Sequence, residues 1–262
     1  MNALCTAVLA LMASATPAHA LQLIDEPKGL AWSNSEVAQS GAPAARMVLD
    51  RAEEAGQSGC RERCEMIERV WQQLGSVFHE QQADRAHTVA LSLHVVQSAD
   101  VDAFAVPDGT VVLSEAFVRD RGLDAAQLAF VLAHEVAHVL LEHERETLTA
   151  ALALLPRNLP RSVDDVYVEL DYNLGLLKSL EPSMHQAEFE ADEVGLQLAA
   201  LAGYAPAEQL RFMQNEAAHE CEGAAVVATH PLARSRLERL QLTLPLALRL
   251  YGYGLEQRFG DF

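Results

Sequence analysis

Positive charge is scarce in this chain of 262 residues: 19 lysines and arginines stand against 37 aspartates and glutamates, a formal net charge of −18. Such a surface repels phosphate backbones, which excludes nucleic acid as a partner, and it excludes a polybasic membrane-surface role. Aromatic residues are few, 6%, yet 50% of the chain is hydrophobic. That is enough to bury a sizeable core in one domain, and disorder is excluded as the dominant state. Internal repeats are lacking. After residue 20 no stretch approaches the roughly 18 consecutive apolar residues that span a bilayer, so no stable membrane insertion is expected of the mature protein.

The first twenty residues differ from the rest. Ala3 to Ala15 is apolar and uncharged, Pro17 breaks it, and Ala18-His19-Ala20 has the small-x-small form of a signal-peptidase site. Residues 1–20 are therefore read as a signal peptide, with only the amino terminus as positive charge before the apolar stretch, and the mature chain is expected in the periplasm or outside the cell. Cleavage removes Cys5 and leaves Cys60, Cys64 and Cys221. One bridge and one spare thiol is the simplest account, with Cys60 to Cys64 or either of them to Cys221 as pairings.

Residues 21–41, rich in Pro, Gly and Ser, suggest an extended N-terminal arm. Apolar spacings of three and four then give helices near 42–55 and 60–82. Alternation at Val89, Leu91, Leu93 and Val95, with Val111-Val112-Leu113 after the Pro107-Asp108-Gly109 turn, fits a small sheet of about three strands. Asp124-Ala-Ala-Gln127 has the form of a capping box, so a helix starts there and runs to about Glu144. Further helical patterns cover about 146–155, 163–180, 184–202 and 206–219, separated by Pro156, Pro160, Pro182 and the Gly203-Tyr204-Ala205-Pro206 turn. The class is α+β, mainly helical.

His134-Glu135-Val136-Ala137-His138 lies inside the capped helix, within the apolar run from Leu128 to Leu141. Four residues apart, the two imidazoles project from one face and can bind one Zn²⁺, while Glu135 sits beside them to take a proton from water. Polar groups in so apolar a helix cost several kcal/mol unless paired or metal-bound. A catalytic zinc needs a third protein ligand. The metzincin extension would require Gly at 141 and His at 144, where the chain has Leu141 and Glu144. A later glutamate is the other common solution: Glu188 and Asp192 share a helix face, one to bind the metal and the other to orient a histidine, while Glu190 points the opposite way. On an unbroken helix His143 faces about 140° from His138, which suits a structural or supporting use.

Several segments in the same order resemble the metallopeptidase family that contains the CAAX prenyl protease, the heat-shock membrane protease HtpX and the periplasmic assembly protease BepA. They are Asp102 to Gly109, His134 to His138 with His143, Glu188 to Gly195, Gly203 to Pro206, and Thr229-His230-Pro231 with Arg236. The resemblance implies a zincin-like (gluzincin) single catalytic domain over 42–262, the sheet lying beside the metal helix. It implies one Zn²⁺ per chain held by His134, His138 and Glu188, Glu135 as catalytic base, Asp192 bracing a histidine, and a substrate strand along the edge at Phe104 and Ala105. It also implies that His230 can act as an inhibitory fourth ligand. The expected activity is endopeptidase cleavage of misfolded or misassembled envelope proteins. The alternative is a chaperone or assembly factor that binds unfolded chains with its protease site held shut.

Overall fold

Of the 16 residues in helix α4 (Ala125–Leu140), 12 are buried, and a helix that is apolar all round must be covered all round. The computed structural model, which describes residues 29–83, 88–157, 159–219 and 231–259, does this with four neighbours. Helices α2 (Cys64–Gln82), α7 (Leu174–Leu201) and α8 (Pro206–His219) pack against α4, as does one face of the sheet. Helix α9 (Ala233–Phe259) closes the far side of α7 and α8. Phe130 of α4 meets Leu196, Leu210, Met213 and Leu240 there.

The sheet has strand order β1-β3-β2. Strand β3 (Thr110–Ser114) is central and almost wholly buried, pairing in parallel with β1 (Ser92–Val96) and antiparallel with β2 (Ala103–Ala105). Gly109 makes the β2–β3 turn possible. Its φ is +91°, and a Cβ there would come within 2.5 Å of the Ala90 carbonyl oxygen. Helix α3 (Glu115–Asp120) follows β3 directly, capped by Ser114. On the other flank α1 (Asn34–Glu54), α5 (His143–Leu154) and α6 (Val163–Tyr172) bury a second cluster around Val37, Leu148, Val166 and Leu180.

The architecture is the expected one, α+β and mainly helical with three strands, but four boundaries differ. The arm expected over 21–41 gives way to helix at Asn34, because Ser33 and Glu36 form a complete capping box and Pro43 is tolerated inside the helix. Pro182 likewise lies inside α7. The break comes earlier, at Asn173, whose side chain accepts from the Leu176 N–H at 3.0 Å and so caps the helix. The metal helix ends at Leu140 rather than near Glu144, since Glu142 adopts a left-handed φ of 61°. Finally, α9 forms where no element was expected, its apolar Leu237, Leu240, Leu244, Ala247 and Leu250 at helical spacing.

Cys60 and Cys64 are joined in a disulfide; Cys221, the signal segment 1–20 and His230 lie outside the described residues. Among the described residues no single helix is long and apolar enough to cross a membrane; α4 and α5 together reach that length and composition, but with a 49° bend between them.

Candidate active site

Helix α4 is held in register by its capping box, Asp124 accepting from Ala126 and Gln127 at 2.9 Å while Gln127 returns to the Asp124 N–H at 3.1 Å. One turn apart, His134 and His138 turn their Nε2 atoms toward each other at 3.1 Å. Helix α7 crosses α4 so closely that a Cβ on Gly195 would lie 2.8 Å from the His134 backbone nitrogen. That approach brings Glu188 to the pair: its Oε1 is 3.3 Å from His138 Nε2 and its Oε2 is 3.7 Å from His134 Nε2. His134 and Glu188 are buried, and His138 is half-buried.

The two imidazole nitrogens stand 3.1 Å apart and the Glu188 oxygens lie 3.3 and 3.7 Å from them, spacings close to the edges of a tetrahedron. Bonds of about 2.0–2.1 Å from a central metal give edges of about 3.3 Å. The electrostatics ask for a cation as well. Burial opposes a charge on His138, yet the hydrogen bond with Glu188 and the charges of Glu135, Glu188 and Asp192 outweigh it and raise the pKa of His138. His134, His138 and Glu188 can therefore hold a metal ion.

Asp192, one turn beyond Glu188, lies with Oδ1 3.1 Å from His134 Nδ1. Of the two histidines the sequence leaves open as its partner, this is the one it reaches. Burial would raise the pKa of Asp192, but Arg236 and His134 hold it below the usual carboxylate range. Arg236, on the first turn of α9, donates from Nε and Nη2 to the two Asp192 oxygens, each at 2.7 Å, and its Nη1 stands 3.4 Å from Glu188 Oε2. Arg236 belongs to the segments that carry the family resemblance, but its sequence position alone points to no task. Its contact depends on α9 folding back across α7, which local periodicity does not reveal.

His143 stands elsewhere than on a helix continuing to Glu144, because the metal-binding helix ends at Leu140. The break at Glu142 folds His143 back beneath the metal helix, 3.0 Å from His138 Nδ1, and Glu190 Oε2 lies 3.5 Å from His143 Nε2.

Beside these groups lies a cavity of about 380 Å³, with Glu135, His138 and Glu188 on one wall and Phe104, Ala105 and Met184 among the others. Strand β2 forms its rim. Residues Asp102 and Val106 bond to β3, the Ser114 N–H donating to Asp102 at 2.8 Å and the Val106 N–H to Thr110 at 3.0 Å. In an antiparallel pair bonded residues alternate, so Phe104 also faces β3 with its backbone, and Ala103 and Ala105 point theirs to the open edge.

A buried donor set for one cation, a carboxylate beside it and an open strand edge across the cleft define a metallopeptidase. The chain belongs to Peptidase family M48, whose model matches residues 67–243. It is similar to the mitochondrial metalloendopeptidase OMA1 of Bos taurus, 31% identical over 181 residues, covering 60% of this chain and 33% of the relative. The OMA1 protein of Saccharomyces cerevisiae is 29% identical over 175 residues, covering 61% and 48%. The beta-barrel assembly-enhancing protease of Escherichia coli K12 is 25% identical over 168 residues, covering 58% and 34%. The chain thus spans about a third to a half of the length of these relatives.

Proposed function

We propose that the chain is a zinc-dependent endopeptidase of the periplasm that cleaves misfolded or misassembled envelope proteins. The observation that carries this reading is the His134, His138 and Glu188 donor triangle with Glu135 at the head of a cleft rimmed by β2. Zinc held there would supply Lewis-acid polarisation of a peptide carbonyl and lower the pKa of water. The Glu135 carboxylate would accept a proton from the attacking water and return it to the leaving amine. Asp192, backed by Arg236, holds the His134 ring in place. Ala103 and Ala105 offer their outward N–H and C=O groups to an extended substrate strand, which a folded protein does not present. The choice of unfolded substrates follows from that requirement. The signal-like first twenty residues and the likeness to a beta-barrel assembly-enhancing protease support an envelope setting.

His230 belongs to this proposal as an internal plug. It stands six residues before Arg236 in the sequence, whose guanidinium touches both Asp192 and Glu188; the inhibitory role rests on the resemblance carried by Thr229-His230-Pro231.

The test is cleavage of a denatured model protein by zinc-loaded chain. Glu135→Gln is expected to keep one zinc per chain and lose about 10²- to 10⁴-fold in rate; cleavage at the parent rate would remove Glu135 as the base. If neither the parent nor a plug-free variant cuts, while both bind the denatured protein, the chaperone alternative takes over. His230→Ala is expected to raise the rate or cause self-cleavage, and a variant as quiet as the parent would remove the plug.

A further inference from the structure

The two histidines of the donor triangle are backed by different groups. His134 Nδ1 faces a carboxylate, Asp192 Oδ1, at 3.1 Å. His138 Nδ1 faces another imidazole, His143 Nδ1, at 3.0 Å, with the ring planes tilted by 78° and the centroids 4.9 Å apart. His143 is only 3% exposed. Its outer nitrogen, Nε2, lies 3.5 Å from Glu190 Oε2, at the long end of hydrogen-bond reach, and Glu190 is itself held by Gln186 Nε2 at 2.6 Å.

Two imidazole nitrogens 3.0 Å apart must share one proton, since two lone pairs repel and two N–H groups collide. His138 Nε2 faces His134 Nε2 and Glu188 Oε1, and where that triangle holds a metal the Nε2 lone pair is the ligand, which leaves the His138 proton on Nδ1. His138 therefore donates to His143 Nδ1, and His143 carries its own proton on Nε2, the atom 3.5 Å from Glu190 Oε2. The whole line, Glu190 to His143 to His138, is ordered in one direction.

We propose that His143 is a positioning residue of the metal site: by accepting the His138 Nδ1–H it holds His138 in the tautomer and ring orientation that lets Nε2 bind zinc, with Glu190 holding His143 in turn. The inference rests on the zinc-peptidase reading above. It also gives the left-handed turn at Glu142 a purpose, because on an unbroken helix His143 points away from His138.

Zinc affinity measured on the purified full chain, by competition with a chromophoric chelator, tests this without recourse to catalysis. His143→Leu keeps the bulk and loses the acceptor, and is expected to weaken zinc binding about 10- to 100-fold. His143→Asn, whose Oδ1 can stand near the Nδ1 position and accept the same bond, is expected to recover most of that loss. A packing role alone predicts the reverse order, since Asn fills the buried position worse than Leu. Glu190→Gln, at a side chain 42% exposed, folds whatever the buried variants do, and is expected to weaken zinc by roughly threefold. Parent-like affinity in His143→Leu, an Asn variant weaker than Leu, or no change in Glu190→Gln would overturn the inference. A parent chain that binds no zinc at all would instead overturn the zinc-peptidase reading beneath it.

Discussion

Glu142 shows how one residue redirects a site. Its φ of 61° makes it the one described non-glycine residue in the left-handed region, where an L side chain costs roughly 1–2 kcal/mol. Its carboxylate offsets that cost by accepting from Asn34 Nδ2 and Arg145 Nη1, both at 2.7 Å, and Arg145 in turn donates to Asn34 Oδ1 at 2.5 Å. The start of α1 thereby secures the end of the metal helix. Glu115 does comparable work at the opposite end of the sheet. Though fully buried, it accepts from the Arg61, Glu62 and Arg63 N–H groups at 2.9, 2.7 and 2.6 Å and from Gln97 Nε2 at 2.5 Å. It thus caps α2, whose own N-cap residue Arg63 makes no side-chain cap. Burial would raise the Glu115 pKa, but these donors outweigh it and bring it down to about 2. The folded pKa lies below the ordinary 4.5, so the stabilisation is fully present above pH 4.5 and is lost as pH falls toward 2. Glu115→Gln should cost about 2–3 kcal/mol in urea unfolding at pH 7, with the gap to the parent narrowing below pH 4.5. A gap constant down to pH 3 would contradict this.

At the scale of elements, the α4–α7 crossing decides the site. A side chain at Gly195 would meet His134 backbone atoms at 2.8 and 2.9 Å, and backbone cannot give way as a flexible side chain can. Gly195→Ala should therefore push α7 from α4 and carry Glu188 off the histidines. We expect a stability loss of about 1–3 kcal/mol and zinc affinity at least tenfold weaker, read by thermal unfolding and chelator competition; an alanine variant equal to the parent in both would refute the account. The same scale shows what local pattern conveys. Complete capping boxes at Ser33, Asp124 and Ser162 mark true helix starts. Of the prolines read as separators, Pro156 and Pro160 stand between α5 and α6, but Pro182 misled, because it sits inside α7, as Pro43 and Pro245 sit inside α1 and α9. Each costs about 3 kcal/mol in an isolated helix, a cost that burial of α7 against α4 and α9 offsets and that local sequence does not register.

At the scale of the whole molecule, sequence alone determined the His134 and His138 pair, Glu135 beside it and the helix carrying them. Those depend on a four-residue spacing and an apolar stretch, and both are local properties. It also supplied Glu188 and Asp192 as the carboxylates for the site, since they share one face of one helix. The tertiary structure decided the rest: that Asp192 meets His134, that Arg236 clamps it from a helix more than 40 residues away, and that β2 leaves an edge open across the cleft. It also decided that His143 turns back onto His138. Each of these rests on where one element crosses another, and the free energy of a crossing is spread over packed side chains distant in the chain, so no short window of sequence contains it.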